Sequence, residues 1–64
     1  MSYTLKEDLG LRGKRAISFG HSTIESAVEA IPAKIVAWSL DEDHDAADAF
    51  AANGVIYNIE REDA

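Results

Sequence analysis

Five carboxylates fall within eight consecutive positions: Asp41, Glu42, Asp43, Asp45 and Asp48. The surrounding stretch, SLDEDHDAADAFAAN at residues 39–53, contains no Lys or Arg. So dense and uncompensated a set of acids has three chemical uses. It can hold a divalent cation, keep the chain in solution, or meet a basic partner. The cation reading is testable by spacing. DEDHD begins like a calcium loop, with acids at the first, third and fifth positions. The sixth position is then Ala46, where Gly is needed, and the twelfth is Ala52, where a bidentate Glu is needed. His44 and Asp48 stand four residues apart with Asp41 near, which offers an ion two or three loose ligands. The reading is therefore of a protein with no metal and no cofactor.

Two other stretches contain reactive side chains. FGHST, at residues 19–23, resembles the nucleophile elbow G-x-S-x-G through Gly20 and Ser22, with His21 beside the hydroxyl. Ile24 replaces the second glycine, and the chain is far shorter than the hydrolase fold that uses this turn. Ser22 is better used as a helix cap. RGKR, at residues 12–15, is too short for a nucleic-acid patch and reads as a solvated loop. Trp38 lies in an apolar run and reads as core. No catalytic signature emerges, and the chain is read as a non-enzyme.

With 64 residues, the chain is read as a single small domain, residues 1–64. A chain of this size buries only ~60% of the surface it exposes when unfolded. It has no cysteine, so neither a disulfide framework nor a thiolate zinc site can support it. The polar N-terminus MSYTLKEDLG has no signal-peptide core, and no apolar run approaches the ~20 residues of a membrane span. The expectation is a bacterial cytoplasmic protein, monomeric and independent of membranes. Its net charge of −6 is unevenly placed. Residues 1–15 balance at +2, whereas residues 16–60 set eight acids against Lys34 alone. An acidic body repels phosphates, so direct nucleic-acid binding is not expected.

Elements that would position the acids follow from periodicity and punctuation. TLKEDLG spaces Thr4 and Glu7 as a capping box, closed by Gly10, and suggests a short first helix. Residues 15–19 alternate as a strand. STIESAVEAI pairs Ser22 with Glu25 as a second capping box. It carries Ile24, Ala27, Val28 and Ile31 on one stripe and ends at Pro32. AKIVAWSL is apolar on both faces and reads as a central strand. Ser39 with Glu42 then suggests a cap for an acidic helix over residues 40–53, closed by Gly54, and VIYNIE reads as the last strand. The tail, residues 61–64, is expected to fray. The resulting fold class is α/β (or α+β), a three-stranded sheet packed against two main helices. Its order is (α)βαβαβ, with strand direction left open. Ile24, Val28, Ile31, Ile35, Trp38, Phe50, Val55 and Tyr57 form the expected core.

On such an acidic helix, at ~100° per residue, Asp41, Asp45 and Asp48 share one side, and Leu40, Ala46, Ala47 and Phe50 face the sheet. Acids at a helix start also interact well with its dipole, which accounts for Asp41, Glu42 and Asp43 without any function. It does not account for Asp48. If both helices share one face of the sheet, Glu25 and Glu29 join these acids on one outer surface. Carboxylates four residues apart on a helix are ~6 Å apart along its axis, and duplex DNA carries one charge per ~1.7 Å of axis. This is a range that cations placed for phosphates can meet.

In its small size, lack of cysteine and acidic DEDHDAAD segment, the chain resembles the small phage-encoded anti-CRISPR proteins. The resemblance is to those acting on type I complexes, the type I-C group in particular. That group shares no diagnostic motif, so no residue roles carry over. The resemblance implies a DNA mimic that binds a CRISPR interference complex and blocks target-DNA or PAM recognition. Asp41, Glu42, Asp43, Asp45, Asp48, Glu25 and Glu29 are the candidate partner-binding residues for a basic nucleic-acid-binding protein. The alternative function is an antitoxin or regulatory partner that holds a basic toxin through the same face.

Overall fold

The computed structural model describes residues 2–62. It holds five strands, β1 (Tyr3–Asp8), β2 (Lys14–His21), β3 (Ile35–Asp41), β4 (Ala46–Ala51) and β5 (Ile56–Arg61). A single α-helix, α1 (Ile24–Glu29), and a 3-10 turn at Gly10–Arg12 complete it. The strands form one sheet in the order β2-β1-β5-β4-β3. Every neighbouring pair is antiparallel. The chain therefore makes a hairpin, crosses by α1, makes a three-strand meander, and closes the sheet by pairing its last strand with its first.

This corrects the expected fold class. The three-stranded sheet with two main helices is replaced by a five-stranded antiparallel sheet carrying one short helix. TLKEDLG is not a helix: Tyr3 and Leu5 turn to one side of β1 while Lys6 opposes Asn58 on the other. The acidic helix over residues 40–53 does not exist. That segment is the end of β3, a turn, and β4. AKIVAWSL does form a strand, but at the margin of the sheet rather than its centre.

The alanines explain the largest error. AADAFA in β4 alternates strictly: Ala47, Ala49 and Ala51 are buried, while Asp48 and Phe50 are exposed. Alanine is the best helix former, yet here it is used for its small size. Ala47, Ala49 and Ala51 belong to the same core as Ile24 and Ala27 of α1, beside the larger Tyr3, Leu5, Tyr57 and Ile59 of β1 and β5. Tertiary packing overrides local propensity.

The helix itself forms where expected but is shorter than STIESAVEAI. It is capped by Thr23, not Ser22; the Thr23 hydroxyl accepts from the Ser26 amide at 3.0 Å. Ile24, Ala27 and Ile31 sit over the sheet, with Val28 packed at the margin. Tyr3, Leu5, Tyr57 and Ile59 complete the core from β1 and β5. Two expected core residues lie elsewhere: Trp38 is 50% exposed and Phe50 39% exposed. Among the described residues, no helix covers the opposite face of the sheet. That face carries a polar row, with Lys6 opposite Asn58 and Asn58 opposite Asp48, beside the partly exposed pair Phe50 and Ile56, on the solvated side of an antiparallel sheet. Of the tail expected to fray, Arg61 ends β5, and residues 63 and 64 lie outside the described residues.

Ile59 is fully buried at the centre of the sheet. Replacing it by Ala is expected to cost about 2–5 kcal/mol. Phe50→Ala removes a side chain from the solvated face and is expected to cost only about 1 kcal/mol. Urea unfolding of the two variants measures both, and the Ile59 variant should show much the larger drop in midpoint.

Candidate functional site

The acidic segment is a hairpin turn because its side chains satisfy the turn. The Asp41 carboxylate accepts the His44 ring nitrogen at 2.7 Å and the His44 amide at 3.3 Å. Asp side chains characteristically bond backbone groups a few residues on, mimicking a turn. Asp45 has a φ of 51°, a left-handed conformation that Asp tolerates better than most residues. Contact with His44 holds the Asp41 carboxyl below its ordinary range. Its two interactions are thus consumed locally, and His44 is an exposed turn residue.

The turn brings two of the sequence-predicted acids, Glu42 and Asp45, to a groove that Glu25 of α1 also lines. Glu25, Glu42 and Asp45 line a groove of about 690 Å³ together with Tyr3, Ile24, Trp38 and Leu40. The groove exists because α1 packs on β1, β2, β4 and β5 and leaves the outer strand β3 uncovered. Trp38 and Leu40 lie in register with Ala49 and Ala47, so they occupy the helix side of the sheet. With no helix above them they stay half exposed. Asp45 ties the groove to the sheet. It accepts the Tyr3 hydroxyl at 2.7 Å and lies 3.6 Å from Arg61. The hydrogen bond to Asp45 raises the Tyr3 phenol above its ordinary value.

The remaining predicted residues do not converge there. Asp43 is in the same turn but does not line the groove. Asp48 opposes Ser39 and Asn58 on the solvated face, where it accepts the Asn58 amide. Glu29 ends α1, away from the groove. The single acidic surface expected from two helices is therefore divided. One group surrounds the groove and turn, Asp48 lies on the opposite face, and Glu29 stands apart. Among the described residues, no group of three or more His, Cys, Asp or Glu side chains gathers as a metal site.

His21 is engaged differently from the elbow reading. Its Nε2 contacts the Ser18 hydroxyl, and its Nδ1 lies 3.5 Å from the Ser26 hydroxyl. Ser22 lines the groove instead, and neither Ser18 nor His21 does. RGKR is partly structural: Lys14 reaches Glu60 at 2.8 Å and Arg15 reaches Glu7 at 2.9 Å. Glu60 also receives Lys6 at 2.9 Å. The hydrogen bonds from Lys14 and Lys6 hold its carboxyl below the ordinary range.

The sequence does not reveal the groove, because Trp38 within an apolar run reads as core. Its available signal was the adjacency of an apolar strand and an acidic turn, WSLDED. Comparison of the chain with protein-family models, curated proteins and solved structures yields no match.

Among the described residues, Glu62 is the carboxyl held furthest below its ordinary range. Its carboxylate accepts the Gly20 amide at 2.8 Å and the Thr4 and Ser2 hydroxyls at 2.7 Å each. The Gly20 amide, then Thr4 and Ser2, lower its pKa from 4.5 to about 2. A depressed carboxyl pKa contributes stability above its unfolded value and loses it as pH falls through the folded one. Thermal stability should therefore fall between about pH 4.5 and about pH 2. Glu62→Gln should be less stable at neutral pH and should flatten that fall. Melting curves followed by circular dichroism across this range test it. Parallel pH profiles for both proteins would exclude the role.

Proposed function

We propose that this chain is a non-enzymatic binding protein that occupies a basic, nucleic-acid-binding surface of a partner protein. The observation that carries this reading is the groove. Carboxylates from Glu25, Glu42 and Asp45 flank the half-exposed Trp38 and Leu40, and Asp41 and Asp43 extend the charge along the adjoining turn. A basic partner would be drawn in by the charge and held by apolar contact at the aromatic side chain. Acids alone would suit solubility; acids grouped around exposed tryptophan suit recognition. The resemblance to anti-CRISPR proteins makes a type I interference complex the first partner to test, with its target-DNA or PAM site as the surface blocked. This form of mimicry uses a hairpin tip and groove rather than an acidic helix.

The test is competition. A purified type I-C interference complex is titrated with labelled target duplex, with and without the chain. Displacement of DNA that weakens steeply with added salt is expected. The triple variant Glu25→Lys, Glu42→Lys, Asp43→Lys should retain the fold by circular dichroism. It should lose affinity by roughly tenfold to a hundredfold, because each exposed ion pair contributes ~0.2–1 kcal/mol and becomes repulsive. Unchanged DNA binding in the presence of the chain would sink the interference-complex reading. A triple variant that competes as well as the parent would sink the groove.

A further inference from the structure

β3 is one margin of the sheet, hydrogen-bonded to β4 on one side only. Its residues, IVAWSLD, include no lysine and no proline. Native sheets usually protect such a margin with charges, prolines or a covering element, because its outward amide and carbonyl groups will pair with another strand. An irregularity at Val36 interrupts the start of β3, but residues 37–41 keep regular register with β4. The two faces of that segment differ. Trp38 and Leu40 oppose Ala49 and Ala47 on the helix side, and Glu42 continues their row along the groove. Ala37 and Ser39 oppose Phe50 and Asp48 on the other side. Glu25 of α1 lines the same groove. Asp45 is engaged by Tyr3 and Arg61, whereas Glu25 and Glu42 have no hydrogen bond or ion pair among the described residues.

We propose that the groove's partner delivers an extended basic segment, which pairs with residues 37–41 as a sixth strand and turns every second side chain, Lys or Arg, to the groove. This rests on the reading of the groove as a partner-binding site. In strand addition, backbone pairing supplies affinity and alternate side chains supply specificity. On the helix side the incoming residues become cross-strand neighbours of Trp38, Leu40 and Glu42, with Cβ atoms ~4.5–5.5 Å apart. A long cationic side chain matches what it meets there. Its apolar stem covers Leu40, and its charge is attracted by the indole face and by Glu25 and Glu42. An apolar residue would leave those carboxylates without a counter-charge, and an acid would be repelled. On the other side, Ala37 and Ser39 suit a small hydroxyl residue such as Thr. A second copy of β3 would bring Glu42 and no cation to the helix side, so charge complementarity selects a basic partner strand.

Trp38 is the chain's one tryptophan, so its fluorescence reports occupation of this edge directly. The probes are capped synthetic peptides: TRTRTRT, its isomer TTRRRTT, and TRTRTRT with every backbone amide N-methylated. The alternating peptide should shift Trp38 emission and slow amide exchange within residues 37–41. It should bind roughly tenfold tighter than either control. The double variant Glu25→Gln, Glu42→Gln, its fold checked by circular dichroism, should weaken it roughly threefold or more. Equal binding of TTRRRTT or of the N-methylated peptide overturns strand addition, and so does a double variant that binds TRTRTRT as well as the parent. Sedimentation of the chain alone should give the monomer mass; a dimer that protects the β3 amides would make a second copy the occupant and overturn the proposal. If no peptide binds while the chain still displaces duplex from the interference complex, the strand fails and the groove reading stands. If the alternating peptide binds as expected and no duplex is displaced, the strand site stands and the interference complex is the wrong partner.

Discussion

The pairing of β5 with β1 is the constraint on which the rest depends. It joins residues from the two ends of the described chain, with Tyr3 opposite Arg61 and Leu5 opposite Ile59. Without it the protein is a two-stranded hairpin and a three-stranded meander, each too small to bury an apolar face alone. With it, Leu5 and Ile59 become fully buried side by side. The helix then has a continuous sheet to cover. Lys6 and Lys14 are brought to Glu60 by the same closure, as are the Ser2 and Thr4 hydroxyls to Glu62. Closure over nearly the whole chain carries a loop-entropy cost that is met before its contacts form, which favours slow folding for so short a protein.

The size of α1 determines where the surface remains apolar. A helix of six residues spans ~9 Å. It cannot cover five strands ~4.8 Å apart. The core therefore sits under β1, β4 and β5, where small alanines allow close approach, and β3 is left outside the helix's reach. The exposure of Trp38 and Leu40 and the groove beside Glu25 share this one cause. None of them follows from the composition of β3, which would pass for a central strand.

Local patterns were legible where one signal acted alone. Residues 15–19, AKIVAWSL and VIYNIE read as strands from their apolar content, and the apolar stripe of Ile24, Ala27 and Ile31 marked α1. Gly54 was legible as a left-handed residue: its φ is +85°, closing the β4–β5 turn rather than a helix. Legibility failed where two signals competed. In AADAFAA the alanines favour a helix by propensity, while the burial of every second residue follows a period of two that alanine's weak hydrophobicity hides. In LDEDHDA, acids suited to a helix start are equally suited to a turn. Thr4 and Glu7 matched a capping box, but a six-residue helix could not compete with β1 pairing on both sides. That most of the acids lie at the surface is legible in the sequence; their division between turn, groove and opposite face depends on the register of β4.

Charge partition ties the fold to the proposed recognition. The basic N-terminal region does not oppose the acidic body at random. Lys6 and Lys14 meet Glu60, and Arg15 meets Glu7, all within the β2-β1-β5 half of the sheet. That half is close to neutral because its acids and bases face each other across strands, as opposite charges on neighbouring strands favour. The bases of the first fifteen residues are thereby largely engaged. The β3–β4 turn has Arg61 beside Asp45 but no lysine of its own. The net charge is thus concentrated at one end of a small sheet. Self-repulsion among exposed acids costs little in folding when they sit on a turn surrounded by water. The same acids act together on a cationic surface that approaches and excludes that water, so a localised charge that folding tolerates is one that binding can use.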